Sequence, residues 1–195
     1  MNFLQEFIKK IKEYREISKV DKIARRYFAM NGFDGSLTIL GLLIGYYLSD
    51  FDNPLIIFVT GISTCIAMGI SGLWGAYLAE RSERISDLRE LEKATISSLN
   101  NTKIGSAHRF ATVVVAVIDG IAPFITAFFS LIPFLFNKYL NISICYYISF
   151  TLTFLALFLL GVFLGRISKE NLFISGLKMV VAGITSVLIS ILLLK

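Results

Sequence analysis

Five apolar runs fill most of this chain, at about 30–48, 54–79, 110–136, 142–164 and 172–194. Each has the roughly 20 residues that a helix needs to cross about 30 Å of hydrocarbon. The hydrophobic share is 55% and the charged share 17%, against about a quarter charged in a soluble domain. Mean hydropathy is +0.72. The expected fold is an all-α integral membrane protein with five transmembrane helices. The connections are short and no Pro/Gly/Ser-rich linker divides them, so a single domain over 1–195 is expected.

Before the first span, Phe3, Leu4, Phe7, Ile8, Ile11, Tyr14, Ile17, Val20, Ile23 and Tyr27 recur at helical spacing. Lys9, Lys10, Lys12, Arg15, Lys19, Lys22 and Arg25 take much of the remaining circumference. Residues 1–27 therefore predict a basic amphipathic helix lying in the headgroup layer of the bilayer. The alternative is a helix packed on the protein's own cytoplasmic connections. No apolar core followed by a small-residue cleavage site occurs in 1–26, so the N-terminus is expected to be retained.

Orientation follows from the cations. Eight lysines and arginines precede the first span, six fall in the 80–109 connection and two in 165–171, whereas the opposite side has only Lys138 and Lys195. Lys178 lies near the start of the fifth span and can snorkel to the cation-rich side. Positive charge marks the cytoplasmic side, so the N-terminus is expected inside and the C-terminus outside. Topology thus accounts for the net charge of +5, and no nucleic-acid partner is expected.

Chemistry has few candidates. Cys65 and Cys145 sit inside apolar runs without metal-ligand spacing and read as small buried hydrophobes. The single histidine, His108, stands at the cytoplasmic mouth of the third span and reads as an interfacial polar residue. No Ser/His/Asp set, HExxH, P-loop or GxGxxG is present, so no enzyme and no bound cofactor are expected.

What remains suits a cation. Asp34 lies just inside the first span, between Gly32 and Gly35, and Asp119 lies in the third. An acid within a span costs roughly 2.5–3.5 kcal/mol on insertion scales and usually serves a cavity, an ion path or a partner. Carboxylates are hard oxygen ligands that also exchange protons, which is the physical basis of metal/proton antiport. The plainer reading of Asp34 is a helix cap at a wet boundary. Met68 offers a soft thioether that would favour iron or manganese, or it is core packing. Glu80, Glu83, Asp87 and Glu90 follow the second span; the last three share a helix face that could collect divalent cations, or a solvated face with local pairs such as Glu80 with Arg84.

The segment Asn31-Gly-Phe-Asp34-Gly-Ser-Leu-Thr38 resembles the first-helix signature of the vacuolar iron transporter family. Gly69-Ile-Ser-Gly-Leu-Trp-Gly-Ala-Tyr77-Leu-Ala-Glu-Arg-Ser-Glu83 is similar to the end of its second helix. Leu157-Phe-Leu-Leu-Gly161-Val-Phe-Leu-Gly165-Arg166 and Gly176-Leu-Lys178-Met-Val-Val-Ala-Gly183 resemble its fourth and fifth helices. The resemblance implies a prokaryotic-type homodimer with a metal path between the subunits' first helices, in which Asp34 matches the membrane acid. Fe²⁺ or Mn²⁺ would leave the cytoplasm across the cell membrane in exchange for protons. Two positions depart from it: Gly72 and Ala76 stand where the family usually has methionine and glutamate. The cytoplasmic connection is also shorter than a glutamate-rich metal-binding domain. Asp119 is then expected to supply the missing carboxylate. The alternatives are a non-transporting scaffold of the same type and a transporter of another solute.

Overall fold

In a computed structural model the chain is described over residues 3–194. Met1, Asn2 and Lys195, the last being one of the two cations counted on the far side, lie outside the described residues, as do the side chains of Phe3, Leu4 and Leu194. Six α-helices follow in order: α1 (Phe3–Ser18), α2 (Val20–Leu48), α3 (Pro54–Thr95), α4 (Lys103–Leu131), α5 (Ile142–Ser168) and α6 (Leu172–Leu194). A 3-10 turn over Ile132–Phe136, with Pro133 in it, separates α4 from α5. No strand occurs among the described residues. Five helices, α2 to α6 (α4 together with the turn after it), are long and apolar enough to cross a membrane. Helices suit hydrocarbon because they satisfy their backbone polar groups internally.

The elements differ from the sequence pattern at the start of α4, which begins at Lys103 rather than near Phe110, and within the N-terminal stripe. The stripe from Phe3 to Tyr27 is divided at Lys19, whose φ of 50° is left-handed, so its last third belongs to α2. Ser18 Oγ donates to the Tyr14 carbonyl at 2.6 Å, and the Arg15 guanidinium bridges the break to both Asp21 oxygens at 3.0 and 2.9 Å. The pair raises the Arg15 pKa, but with both side chains half in solvent it sets geometry more than it stabilises. As the helical spacing of Glu83, Asp87 and Glu90 predicts, α3 runs on past Ala79 to Thr95. Its 42 residues span about 60 Å at 1.5 Å per residue, roughly twice the hydrocarbon thickness.

Three further helices close on a left-handed residue other than glycine: Asp50 (φ 50°), Ile96 (φ 52°) and Lys169 (φ 59°). At Asp50 the Phe51 N–H reaches the Tyr46 carbonyl and the Asp50 N–H the Tyr47 carbonyl, the paired bonds of a Schellman ending. Ile96 is 94% exposed, so its β-branched side chain gains nothing from packing in a conformation that costs about 1–2 kcal/mol. Ile96→Gly is expected to stabilise the protein by about 1 kcal/mol after allowing for glycine's greater freedom when unfolded. Thermal unfolding in detergent would register this as a rise of a few degrees; an unchanged or lower midpoint would contradict it.

The residues form two compact units, Met1–Phe28 with Ile70–Gly120, and Ala29–Gly69 with Ile121–Lys195. In the first, Val20 packs with Ala111 and Val115, flanked by Ile23, Tyr27, Phe110 and Val114. There α1 leans on α4: the Tyr14 and Phe110 rings are 5.8 Å apart, and Glu13 pairs with Lys103 at 2.5 Å. Phe7 and Ile8, nearer the start of α1, stay exposed. One half of the helix thus packs on its own protein, while Phe7 and Ile8 in the other half are left uncovered.

In the second unit α2 is the hub. One core joins Ile39 and Leu43 to Ile57, Cys65, Leu131, Cys145 and Tyr146. Another joins Leu40 and Ile44 to Leu157, with Phe154, Met179 and Val187 against it. Both cysteines are buried free thiols, as small hydrophobes would be. Tyr46 and Tyr47 enter an aromatic cluster with Phe51, Tyr146 and Phe150.

Candidate functional site

Asp34 stands about four turns inside α2, which starts at Val20. It is therefore not a helix cap, a role confined to the residue preceding the first turn. The two glycines beside it explain where it points. A Cβ on Gly35 would lie 2.6 Å from the Pro123 Cα, and one on Gly32 would lie 3.1 Å from the Thr126 Cγ2. Thr126 Oγ1 also donates to the Gly32 carbonyl at 2.9 Å. The glycine side of α2 is thus pressed on α4, and Asp34 is exposed on the surface of the chain. Thr38, one turn on, is exposed too and donates to the Asp34 carbonyl at 2.8 Å. Met30 is exposed one turn before, and Cβ atoms on Gly41 and Gly45 would meet nothing within 4 Å. A carboxylate, a hydroxyl and small residues on the bare side of a span form a face suited to another helix. Met68, the candidate soft donor, is half-buried on α3 of the same unit.

Asp119 belongs to the other unit and is 4% exposed. It packs on α3 at Gly72: a Cβ there would lie 3.1 Å from the Asp119 Oδ2 and 3.3 Å from its carbonyl oxygen. Four residues on, Pro123 has no N–H to offer that carbonyl. Two oxygen donors of one residue therefore gather over a glycine. Any larger residue at position 72 would compete with them for the space.

Glu80 is 3% exposed and receives the Arg84 Nε at 3.1 Å, a buried i,i+4 ion pair. It also takes a hydrogen bond from the Tyr27 hydroxyl, which stands in the field of Asp119 and Arg26. Glu80 thus belongs to a buried polar group with Tyr27, Arg84 and Asp119. Glu83, Asp87 and Glu90 are exposed along α3, on the face their spacing predicts. Among the described residues no three His, Cys, Asp or Glu side chains converge to hold a metal.

Tyr27 was legible only as part of an apolar stripe. Arg81 and Arg109 counted only as topology markers, Arg84 as one of these and as the partner of Glu80, and His108 as an interfacial polar residue. The structure puts the three arginines and His108 around a cavity of about 200 Å³. In sequence the sole hint was that Arg81 and Arg84 are three apart on a helix.

A family model described as the VIT family matches residues 92–195, a stretch that contains Asp119 and lies beyond Asp34 and Gly72. The chain is also 33% identical over 162 residues to an uncharacterised protein of Methanocaldococcus jannaschii, covering 82% of each chain. No solved structure matches it.

Proposed function

This chain belongs to the VIT family, whose members are transporters, and from that membership we propose that it is a homodimeric exporter of Fe²⁺ or Mn²⁺ that exchanges metal for protons across a prokaryotic cell membrane. Asp34 and Asp119 are its ligands and proton carriers. The observation that carries the reading is the outward Asp34 on the bare face of α2. A transition-metal shell takes at least four donors, and one chain offers a single carboxylate on that face. A second copy, related by a two-fold axis, would bring an identical carboxylate to meet it. Asp119 contributes the acid that Gly72 and Ala76 lack, while Glu83, Asp87 and Glu90 gather cations at the entrance. The N-terminus is cytoplasmic by the positive-inside count, and the bare half of α1 rests on the bilayer.

A second reading is favoured by Gly72, Ala76 and the locked Glu80–Arg84 pair: a non-transporting member of the same family. Proton flux driven by Mn²⁺, Fe²⁺, Co²⁺, Mg²⁺ or Ca²⁺ in proteoliposomes separates the two. Wild-type protein is expected to move protons with transition metals alone, and Asp34→Asn to reduce this to background. Silence with every cation from well-folded wild type would support the second reading, and flux with Mg²⁺ or Ca²⁺ as well would point to another solute.

A further inference from the structure

The cavity beside Arg84 has no place in the metal path, yet it is built from cations. Arg81, Arg84, His108 and Arg109 line it together with Asn100 and Thr112. All come from the unit made of Met1–Phe28 and Ile70–Gly120. Gly105 shapes one wall, since a Cβ there would lie 2.6 Å from the Leu99 carbonyl oxygen and 2.8 Å from that of Asn100. That close approach lets Asn100 hold Arg109, whose Nη1 donates to the Asn100 carbonyl at 3.1 Å while Nη2 leans on Ser106 Oγ at 3.4 Å.

The deep residue is Arg84, 7% exposed. Its Nε is taken by Glu80, but its Nη2 is buried with no hydrogen-bond partner, and so is the His108 Nδ1. A buried donor left unpaired costs about 1–3 kcal/mol, and more when it is charged. The acidic groups nearby do not answer it. Glu80 is committed to Nε, and Asp87, which acts on His108, is an exposed member of the α3 stripe. Three guanidinium groups around one space, the deepest with an N–H that nothing accepts, call for an acceptor-rich anion, and the guanidinium fork matches phosphate oxygens in pairs. A volume of about 200 Å³ corresponds to roughly six waters at about 30 Å³ each, enough for a tetrahedral oxyanion.

We propose that this cavity binds a phosphate group, held by the unpaired Nη2 of Arg84 at its floor and by Arg81 and Arg109 at its rim. The group is either free phosphate from the cytoplasm or the headgroup of a phosphomonoester lipid. The site is independent of metal transport, and its test reads no transport.

The full chain is placed in metal-free nanodiscs of phosphatidylcholine, or of phosphatidylcholine with phosphatidic acid. Its thermal midpoint is measured in sodium phosphate and in sodium chloride at equal ionic strength, with calorimetric titration of phosphate alongside. Protection by phosphate in plain phosphatidylcholine identifies the free anion; protection by phosphatidic acid alone identifies the headgroup. In either case Arg81→Gln and Arg109→Gln are each expected to weaken the effect about tenfold, the loss of one charge-assisted contact. These rim variants leave the Glu80–Arg84 pair in place, and their midpoints in chloride show whether the fold is kept. Equal midpoints in phosphate and chloride in both bilayers would overturn the proposal, as would protection that survives the Arg81→Gln/Arg109→Gln double variant.

Discussion

Gly72→Met is expected to cost about 3 kcal/mol of stability, and Asp119→Ala in the same chain to recover about 2 kcal/mol of it. The side chain of methionine must start where only 3.1 Å separates a Cβ from the Asp119 Oδ2, and Asp119 is 4% exposed. Forcing extra methylenes into a packed site costs about 1–3 kcal/mol, and here they also press on a buried carboxylate and a backbone carbonyl. Removing the carboxylate opens the space, so the two substitutions should couple rather than add. The measurement is a double-variant cycle of thermal midpoints in detergent. Additive losses would mean that Gly72 and Asp119 do not share one space. The cycle also tests whether a methionine at position 72 and an acid at 119 exclude one another.

A larger loss is expected from Gly161→Ala. A Cβ on Gly161 would run into the Ser175 carbonyl oxygen, 2.7 Å from the Gly176 Cα and 2.9 Å from the Ser175 carbonyl carbon. These are backbone atoms of α6 and cannot rotate aside, so α5 and α6 must separate. Close approach through small residues is the main source of helix association in lipid, where the hydrophobic effect between helices is absent. The expected cost is about 3–4 kcal/mol, or about 10 °C in the thermal midpoint for a chain of this size. Gly75→Ala is the counterpart. A Cβ there meets nothing within 4 Å, and alanine's helix propensity should stabilise α3 by up to about 1 kcal/mol. Opposite signs for the two substitutions are the expected result; equal effects would mean that α5 and α6 do not meet at Gly161.

The spans were legible because length and hydropathy are properties of one segment at a time. Glu80 with Arg84 was legible for the same reason, since i and i+4 are neighbours on any helix. Lys19 was not: a left-handed lysine carries no composition signal, and the apolar stripe runs through it without a gap. The continuation of α3 beyond its apolar run was legible in the charge spacing, since Glu80 to Lys93 stay helical while ceasing to be apolar. The outward Asp34 and the Asp119–Gly72 contact depend on how one helix is rotated against another. An apolar helix gives no stripe from which to read that rotation. The flanking Gly32 and Gly35 were the one clue, because small residues mark the side where a neighbour comes close.

Asp34 has a last consequence, for biogenesis. A newly inserted copy presents that acid to lipid, at a cost of up to about 2.5–3.5 kcal/mol near a span centre and less toward its ends. On the dimeric reading, pairing removes the cost from two chains at once, so solitary chains form a short-lived pool exposed to membrane proteases. The abundance of mature protein should then rise more steeply than its rate of synthesis, and Asp34→Asn should flatten that dependence by letting unpaired chains persist.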